Sequence, residues 1–333
     1  MRSSTIVTLD DILAARDRLK GVTVRTPLLP LHLPESDHAS GPDIWQLRLK
    51  PENLQPIGAF KLRGAYNKIA SLTDAERGRG VISYSSGNHA QGVAYAARAL
   101  GVRAVIVMPN NAPAVKRDAT AALGAEIVLV GPSSDERMLK AQELASQQGY
   151  AIVPPYNDEH IIAGQGTIGL EILEDMPEVE TVLLPVGGGG MISGVATAMK
   201  SAAKHPVKVI GVEPALAADA QASFRAGRIV QCSAAEVTRT LADGLRTQSV
   251  GPINFEHIRR YVDDIITVSE EEIREAMARL AANPKTVAEP SGAVSVAGFI
   301  FHRHELPQTI HNVAVISGGN IEPEMLAKLR EAV

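Results

Sequence analysis

The sequence predicts an α/β fold with parallel sheets flanked by helices, and three observations support this. Short runs rich in β-branched residues, such as RAVIVMP (103–109), alternate with Ala-rich segments of helix length, such as NHAQGVAYAARALG (88–101). Loops rich in Gly and Ser follow three of the apolar runs. The chain of 333 residues is also longer than one small core organises. Together these features predict βα units that form two lobes.

Four apolar runs of strand length predict the smaller lobe. They are GVISYSS, RAVIVMP, AEIVLVG and AIVPPY, and a segment of helix length follows each of the first three. Strands joined through helices in this way pair in parallel. We therefore predict a small α/β domain at residues 80–155.

A second series of runs predicts the larger lobe. TVLLPVG, VKVIGVEP and HNVAVISGGN are predicted strands, and GMISGVATAMKSAAK and SEEEIREAMARLAA are predicted helices. The earlier segment IWQLRLKPENLQ (44–55) is predicted to add a strand to this second sheet. The large domain is therefore predicted to be discontinuous, residues 1–79 and 156–333, and residues 217–262 have a loop-like pattern.

Composition argues against several classes of protein. A hydrophobic content of 45%, a charged content of 21% and a net charge of -4 leave no basic excess for binding nucleic acid. The single cysteine, Cys232, cannot form an internal disulfide, and no cysteine and histidine cluster has zinc spacing. The N-terminus lacks the apolar region of a signal peptide and instead predicts an acid-capped amphipathic helix. No apolar run in the sequence approaches the length needed to cross a membrane. We expect a cytoplasmic protein that is neither secreted nor membrane-spanning.

The stretch QPIGAFKLRGAY (55–66) places the Lys61 ammonium group between Phe60 and Leu62, at the start of a predicted helix. Burial lowers the pKa of a lysine, and a neutral amine is suited to forming a Schiff base with a carbonyl. The same pattern is also typical of a lysine whose ammonium group reaches water from a helix. The remaining motifs decide between these interpretations.

Two loops that follow predicted strands have the composition of anion sites. SSGNHAQG begins with Ser85, Ser86, Gly87 and Asn88, whose N–H groups and hydroxyls can face an anion at a helix N-terminus, or can simply cap the helix. VGGGGMISG contains four successive glycines, which suit close backbone approach to a phosphate, or a structural turn. Neither a G-x-G-x-x-G nor a P-loop pattern is present here.

A third loop, VISGGN, follows the last predicted strand. Its Ser317 could offer a hydroxyl to a ring nitrogen, and it could equally be a turn serine. In open parallel sheets, ligands bind at the carboxyl ends of the strands, so all three loops are candidates for one site.

The motifs KPENLQPIGAFKLRGA, SSGNHAQG, AGQGTIGLEI, VGGGGMISG, AEPSGA and ISGGN, in this order, identify a family. Over nearly its whole length the chain resembles the fold type II pyridoxal-phosphate enzymes of the threonine dehydratase and serine racemase family. The resemblance implies a two-lobed fold like that of the tryptophan synthase β subunit, and pyridoxal 5'-phosphate as cofactor. It also implies a homodimer, while composition and hydropathy already argue against nucleic acid or membrane as a partner.

The resemblance implies a role for each motif residue. Lys61 would form the Schiff base with the cofactor, Asn88 would contact the pyridoxal hydroxyl, and Ser317 would bond the pyridine nitrogen. Ala59 stands where many relatives have serine, so one minor hydrogen bond near the cofactor is in doubt. The other implied cofactor contacts are Phe60, Gly187, Gly188, Gly189, Gly190 and Met191.

Catalysis is expected from two groups on opposite faces of the substrate. Free Lys61 would remove the α-proton, and Ser86 would act as acid or base on the other face. One base permits elimination, whereas two opposed bases also permit racemisation. The substrate carboxylate is expected on the loop of Ser85, Ser86, Gly87, Asn88 and His89. Here His89 is either structural or a proton carrier.

The expected activity is elimination of water from a β-hydroxy amino acid such as L-threonine or L-serine, giving a 2-keto acid and ammonia. An uncharged serine at the ring nitrogen favours loss of a β-leaving group. The alternatives are a serine racemase, a 3-hydroxyaspartate dehydratase and a non-catalytic pyridoxal-phosphate binding protein. Arg137 would receive a second carboxylate, or is a solvated helix arginine. Because the chain ends at 333, isoleucine feedback is not expected.

The stretch VEPALAADA (212–220) places two carboxylates, Glu213 and Asp219, six residues apart across a turn. Such carboxylates can converge on a hard cation, or they can belong to an acid-rich helix N-terminus. The racemase relatives that this stretch resembles bind Mg²⁺ or Ca²⁺ at the matching positions. The resemblance therefore implies a cation held by Glu213, the Ala217 carbonyl and Asp219.

Overall fold

The computed structural model describes residues 6–31, 45–112, 114–131 and 134–331. The strands are β1 Leu29–Leu31, β2 Gln46–Pro51, β3 Val81–Tyr84, β4 Ala104–Pro109, β5 Glu126–Val130, β6 Ala151–Ile152, β7 Thr181–Pro185, β8 Lys208–Pro214, β9 Asp264–Val268 and β10 His311–Ile316. The helices are α1 Leu9–Leu19, α2 Lys61–Ala70, α3 Asp74–Arg79, α4 Asn88–Ala99, α5 Ala114–Ala122, α6 Ser134–Gln148, α7 Glu159–Asp175, α8 Gly190–Ala202, α9 Asp219–Ala226, α10 Ala234–Val237, α11 Pro252–Tyr261, α12 Glu270–Ala281, α13 Pro290–Phe301 and α14 Pro323–Glu331.

The larger sheet has the strand order β1-β2-β10-β7-β8-β9 and is parallel except for β1. Strand β2 pairs with β10, with Gln46 opposite His311, so a segment from near the N-terminus joins the last strand of the chain. The prediction that residues 44–55 add a strand to this sheet is confirmed. Two apolar clusters cover the sheet, one under α12 and α13 and one under α7, α8 and α11.

The smaller sheet is wholly parallel, with the order β5-β4-β3-β6. Its central strands β3 and β4 are almost entirely buried, which matches their continuous apolar runs. Helices α2 and α4 pack on one face, and α6 packs on the other. The predicted α/β class with parallel sheets is therefore present, while the domain boundaries at residues 79 and 155 stay a prediction.

The prediction for residues 217–262 was wrong, because this stretch contains α9, α10 and α11. Four further helices, α3, α7, α13 and α14, were also missed. In α13 every residue from Pro290 to Ile300 is buried, and it lies between the large sheet and α12. A helix that is apolar on all sides shows no 3.6-residue periodicity, so its sequence resembles a strand or a loop.

Within the described residues, no helix combines the length and the apolar character needed to cross a membrane.

Candidate active site

A cavity of about 470 Å³ lies where the carboxyl ends of strands from both sheets meet. The loop after β3, the glycine loop after β7, the N-terminus of α2 and the end of β10 all contribute to its walls. The cavity brings together the predicted cofactor and substrate residues, namely Phe60, Lys61, Ser85, Ser86, Gly87, Asn88, His89, Arg137, Gly187, Gly188, Gly189, Gly190, Met191 and Ser317. The predicted cation ligands are not part of its lining.

Lys61 is the first residue of α2 and points its amine into this cavity. Burial lowers the pKa of Lys61 to about 8, and Nζ donates a hydrogen bond to the Pro155 carbonyl over 2.8 Å. Nζ also lies 5.1 Å from the centre of the Phe60 ring. A lysine with this pKa is partly neutral near physiological pH and is therefore nucleophilic.

The turn before Lys61 is tied to the end of β10. Phe60 N donates to the Ser317 carbonyl over 3.0 Å, and Gly319 N donates to the Gly58 carbonyl over 2.9 Å. Ser317 is buried, and its hydroxyl donates to the Ser291 carbonyl over 3.3 Å. Residues from opposite ends of the sequence thus place Lys61 and Ser317 against the same cavity.

Buried ion pairs hold the other side of this turn. The Arg63 guanidinium contacts the Glu52 and Glu171 carboxylates, each over 2.7 Å, and Lys50 Nζ contacts Glu171 over 2.6 Å. Lys50, Glu52 and Arg63 are each exposed by no more than 1% of their surface, so a balanced set of charges is needed there. Three residues of the motif that contains Lys61, namely Lys50, Glu52 and Arg63, therefore belong to this ion-pair network.

The loop after β3 leads into α4. The Ser85 hydroxyl accepts a hydrogen bond from Gly87 N over 3.3 Å, so this serine braces the loop, whereas Ser86 lines the cavity. His89 is buried, and its Nε2 lies 3.0 Å from the Val153 carbonyl, so Nε2 must carry the hydrogen. Burial, followed by the charge of Lys61, lowers the pKa of His89 to about 3. His89 is therefore neutral.

The side chain of Asn88 joins three loops. Its amide nitrogen donates to Glu289 Oε1 over 2.6 Å, and its amide oxygen accepts from Asn320 Nδ2 over 2.7 Å. Burial, followed by the charge of Asp243, raises the pKa of Glu289 to about 8. Sequence reasoning missed Glu289 and Asn320, although both lie within the motifs AEPSGA and ISGGN.

The glycine loop ends at α8, which begins at Gly190, and Gly189 is its N-cap with φ +92°. A Cβ atom at Gly188 would lie 2.3 Å from the ring of Tyr156, so packing against this ring excludes a side chain there. At Gly187 a Cβ atom would make only an ordinary contact of 3.4 Å with Leu245. The loop thus exposes backbone N–H groups at a helix N-terminus, the arrangement that binds phosphate.

The mouth of the cavity carries charged side chains from both sheets. Lys116 on α5 forms an ion pair of 2.7 Å with Asp243, which follows α10. Arg137 on α6 also lines the cavity, and burial lowers its pKa. Sequence reasoning missed Lys116 and Asp243, because neither lies in a recognisable motif.

Two of the three predicted cation ligands, Glu213 and Asp219, are buried and lie close enough to interact electrostatically. Glu213 is fully buried at the end of β8 and accepts hydrogen bonds from the N–H groups of Ala220 and Gln221. Asp219 is also buried, and neither of its carboxylate oxygens accepts a hydrogen bond from the described residues. Burial, followed by the charge of Asp219, raises the pKa of Glu213, and burial raises that of Asp219 to about 7.

The described residues at this second site fit a hard cation. Two buried carboxylates with raised pKa values repel each other unless a proton or a cation lies between them. Burial, followed by the charges of Tyr84 and Asp219, raises the pKa of Tyr156, whose ring packs against Gly188, so the pair adjoins the glycine loop.

Comparisons with known proteins agree with this geometry. The model of the family described as pyridoxal-phosphate dependent enzyme matches residues 19–318. The chain is 46% identical to the L-threonine ammonia-lyase of Thermotoga maritima over 325 residues, which are 97% of this chain and 78% of that protein. It is 40% identical to the L-threo-3-hydroxyaspartate ammonia-lyase of Saccharomyces cerevisiae, covering 97% of this chain and 96% of that protein.

The solved structure of maize serine racemase is similar as well, with a TM-score of 0.89 and 34% identity over 98% of both chains. The predicted fold type II architecture and family resemblance are confirmed by these matches. The chain therefore belongs to the family of pyridoxal-phosphate dependent enzymes.

Proposed function

We propose that this enzyme is an amino-acid dehydratase, an ammonia-lyase that converts L-threonine or L-serine to a 2-keto acid and ammonia. The observation that carries the proposal is the Lys61 amine, with a pKa of about 8, in one cavity with Ser86 and the 85–89 loop. The similarity to the L-threonine ammonia-lyase of Thermotoga maritima supports the choice of substrate.

The lining of the cavity fits pyridoxal phosphate. A partly neutral lysine suits the aldehyde, and the glycine loop at the N-terminus of α8 suits the phosphate. When bound, the cofactor supplies an electron sink for the substrate carbon that loses its proton. The proposed holding residues are Phe60, Lys61, Asn88, Gly187, Gly188, Gly189, Gly190, Met191 and Ser317.

Two side chains handle the protons in this proposal. The Lys61 amine accepts the α-proton of the substrate, and the Ser86 hydroxyl serves as acid or base on the opposite face. The N–H groups of the 85–89 loop receive the substrate carboxylate at the start of α4. Neutral His89, with Nε2 bonded to Val153, orients this loop and does not move a proton.

A second candidate activity rests on the charges at the cavity mouth. Arg137 and Lys116 line the cavity and could bind the second carboxylate of 3-hydroxyaspartate. The relative from Saccharomyces cerevisiae is named for that substrate. Racemisation is a third candidate, because Ser86 offers a second base and maize serine racemase shares the fold.

A panel of substrates separates these activities. The enzyme is incubated with L-threonine, L-serine and L-threo-3-hydroxyaspartate, and both 2-keto acid and the opposite enantiomer are measured. We expect keto acid and ammonia in equal amounts from L-threonine or L-serine. Enantiomer without keto acid would identify a racemase, and turnover of hydroxyaspartate alone, lost in Arg137→Gln, would identify the second candidate. No turnover of any substrate would indicate a non-catalytic pyridoxal-phosphate binding protein.

We also propose that Glu213, the Ala217 carbonyl and Asp219 hold Mg²⁺ or Ca²⁺. Buried oxygen ligands of this kind suit a hard cation, with water completing the coordination. The ion would not touch the substrate. It would order the turn before α9, which packs near Tyr156 and the glycine loop.

The proposal also covers the oligomeric state, the cellular location and the domain boundaries of the enzyme. We propose a homodimer, as is usual in the family that the chain resembles, and a cytoplasmic location, which a single unpaired cysteine suits. Light scattering of the purified enzyme tests the first. We also keep the division into residues 1–79 with 156–333 and residues 80–155, which limited proteolysis tests.

A further inference from the structure

Two histidines and a glutamate meet at the C-terminal end of α13, far from the cavity. His302 is the C-cap of α13, and a single 3-10 turn, Arg303–Glu305, follows it. One ligand atom from each of His302, His304 and Glu305 lies within 4.8 Å of the others. The 12-residue helix α13 separates this cluster from Ser291 in the cavity wall by about 15 Å, at about 1.5 Å per residue. We propose that this cluster binds Zn²⁺.

The distances within the cluster suit a tetrahedral ion. His302 Nδ1 lies 2.6 Å and His304 Nε2 lies 3.8 Å from Glu305 Oε1. Ligands at zinc bond lengths of about 2.0 to 2.1 Å are separated by about 3.4 Å from one another. The two histidine–glutamate pairs therefore need to move by about an ångström or less. The His304 side chain is 76% exposed and can make that adjustment at its surface position.

Glu272 on α12 orients the central ligand. Its carboxylate lies 3.1 Å from His302 Nε2, on the ring edge opposite Glu305. Ser269 N donates to the same carboxylate over 2.7 Å, so Glu272 is itself held in place. A carboxylate that accepts from one imidazole nitrogen leaves the other nitrogen to bind metal, the arrangement that supports many zinc sites.

The surrounding charges favour a cation at this position. Glu272 and Glu305 supply negative charge, and the C-terminal end of α13 adds the negative end of its helix dipole. The nearby Arg303 guanidinium lies over the Phe299 ring at 5.2 Å. Arg279 lies over the Phe301 ring at 5.5 Å and forms an ion pair with Glu275. Both arginine side chains thus contact groups outside the His302, His304 and Glu305 cluster.

The donor set selects zinc over the cations expected at the buried carboxylates. Two imidazole nitrogens and one carboxylate oxygen suit Zn²⁺, whereas Mg²⁺ and Ca²⁺ prefer oxygen ligands alone. Three protein ligands leave a fourth position for water.

The spacing His302-x-His304 is not that of a common zinc motif. The 3-10 turn after α13 brings the two rings together, with their centres 5.9 Å apart.

The test is titration of the holoenzyme with Zn²⁺ by calorimetry, with Mg²⁺ in excess to occupy sites built from oxygen ligands. We expect one Zn²⁺ per chain at this site, and His304→Ala should weaken its binding by about 100-fold. His160→Ala, which removes a histidine from the start of α7, is the matched control and should bind Zn²⁺ as the parent does. Equal binding by His304→Ala and the parent would overturn the proposal.

A second variant tests the orienting role of Glu272. Glu272→Gln keeps an oxygen that can accept from Ser269 N and from His302, but it removes the charge. Zn²⁺ binding should weaken by about 10-fold, while the melting temperature without zinc stays close to that of the parent. Unchanged zinc affinity in this variant would show that Glu272 does not support the site. If neither Glu272→Gln nor His304→Ala changed the zinc affinity, the bound Zn²⁺ would lie elsewhere in the protein.

Discussion

The Asn88 amide nitrogen donates to Glu289 Oε1 over 2.6 Å, which joins the loop after β3 to the N-terminus of α13. Asn320 holds the other end of the same amide, so loops that follow both sheets meet at one side chain. Burial, followed by the charge of Asp243, raises the pKa of Glu289, the carboxyl partner of Asn88, to about 8.

Glu289→Gln should change how stability depends on pH. Between pH 4.5, the ordinary pKa of a glutamate, and about pH 8, Glu289 keeps a proton in the folded protein, whereas the unfolded chain releases it. The free energy of unfolding therefore falls as pH rises across this window, and glutamine removes that contribution. We expect the free energy of unfolding, measured with urea on the cofactor-free protein, to fall between about pH 5 and about pH 8 by about 3 to 4 kcal/mol more in the parent than in the variant. Equal losses in both proteins would contradict the raised pKa.

Lys61→Ala should abolish the visible absorbance of the cofactor Schiff base and reduce turnover by roughly a thousandfold or more. Lys68→Ala is the matched control, because Lys68 lies on the same helix outside the cavity lining and pairs with Asp158. The control should keep both absorbance and activity. A Lys61→Ala enzyme that retained its spectrum would show that another amine binds the aldehyde.

The sequence predicted the parts of the site that local chemistry marks. The four glycines after β7 and the apolar setting of Lys61 are unusual over a few residues, and the structure places both at one cavity. The segment 44–55 likewise predicted strand β2. Features of this kind need only neighbouring residues to be recognised.

Other parts of the site depend on contacts between distant residues. Glu289 lies 201 positions from Asn88, and nothing in the sequence near Glu289 shows that its carboxyl is buried beside an amide. Helix α13, which positions Glu289, was missed because it is apolar on every side. The Lys116–Asp243 pair similarly exists only because the fold brings α5 to the turn after α10.

Ser86→Ala should suppress racemisation much more than exchange of the α-proton of the L-substrate. Lys61 would continue to remove the proton on its own face, while the opposite face would lose its acid or base. Both rates can be followed in D₂O by NMR and chiral chromatography. Ser71→Ala is the control and should keep both rates, because the Ser71 hydroxyl donates to the Lys68 carbonyl at the end of α2 and does not line the cavity. Equal loss of both rates in Ser86→Ala would exclude the two-base arrangement.

Gly188→Ala and Gly187→Ala should differ in stability although the residues are adjacent. The added methyl group at Gly188 would lie 2.3 Å from the Tyr156 ring, so the loop or the ring must shift. Overpacking of this kind costs about 1–3 kcal/mol. The methyl group at Gly187 would meet Leu245 at 3.4 Å, an ordinary contact. Urea unfolding of the cofactor-free proteins measures the difference, and equal stabilities would contradict the packing of Tyr156 against the loop.

Removal of divalent cations should lower melting temperature and turnover together. Without a cation the buried Glu213 and Asp219 carboxylates repel each other unless one of them takes up a proton, and the turn before α9 is no longer held by the ion. Asp219→Asn removes one of the two charges. In chelator this variant should melt at a higher temperature than the parent, and in Mg²⁺ or Ca²⁺ it should melt lower, because it cannot bind the ion as well. Scanning calorimetry in chelator and in each cation measures this reversal. If exhaustive chelation changed neither the melting temperature nor the rate of the parent, or if Asp219→Asn responded to the ions as the parent does, the two carboxylates would not be a cation site.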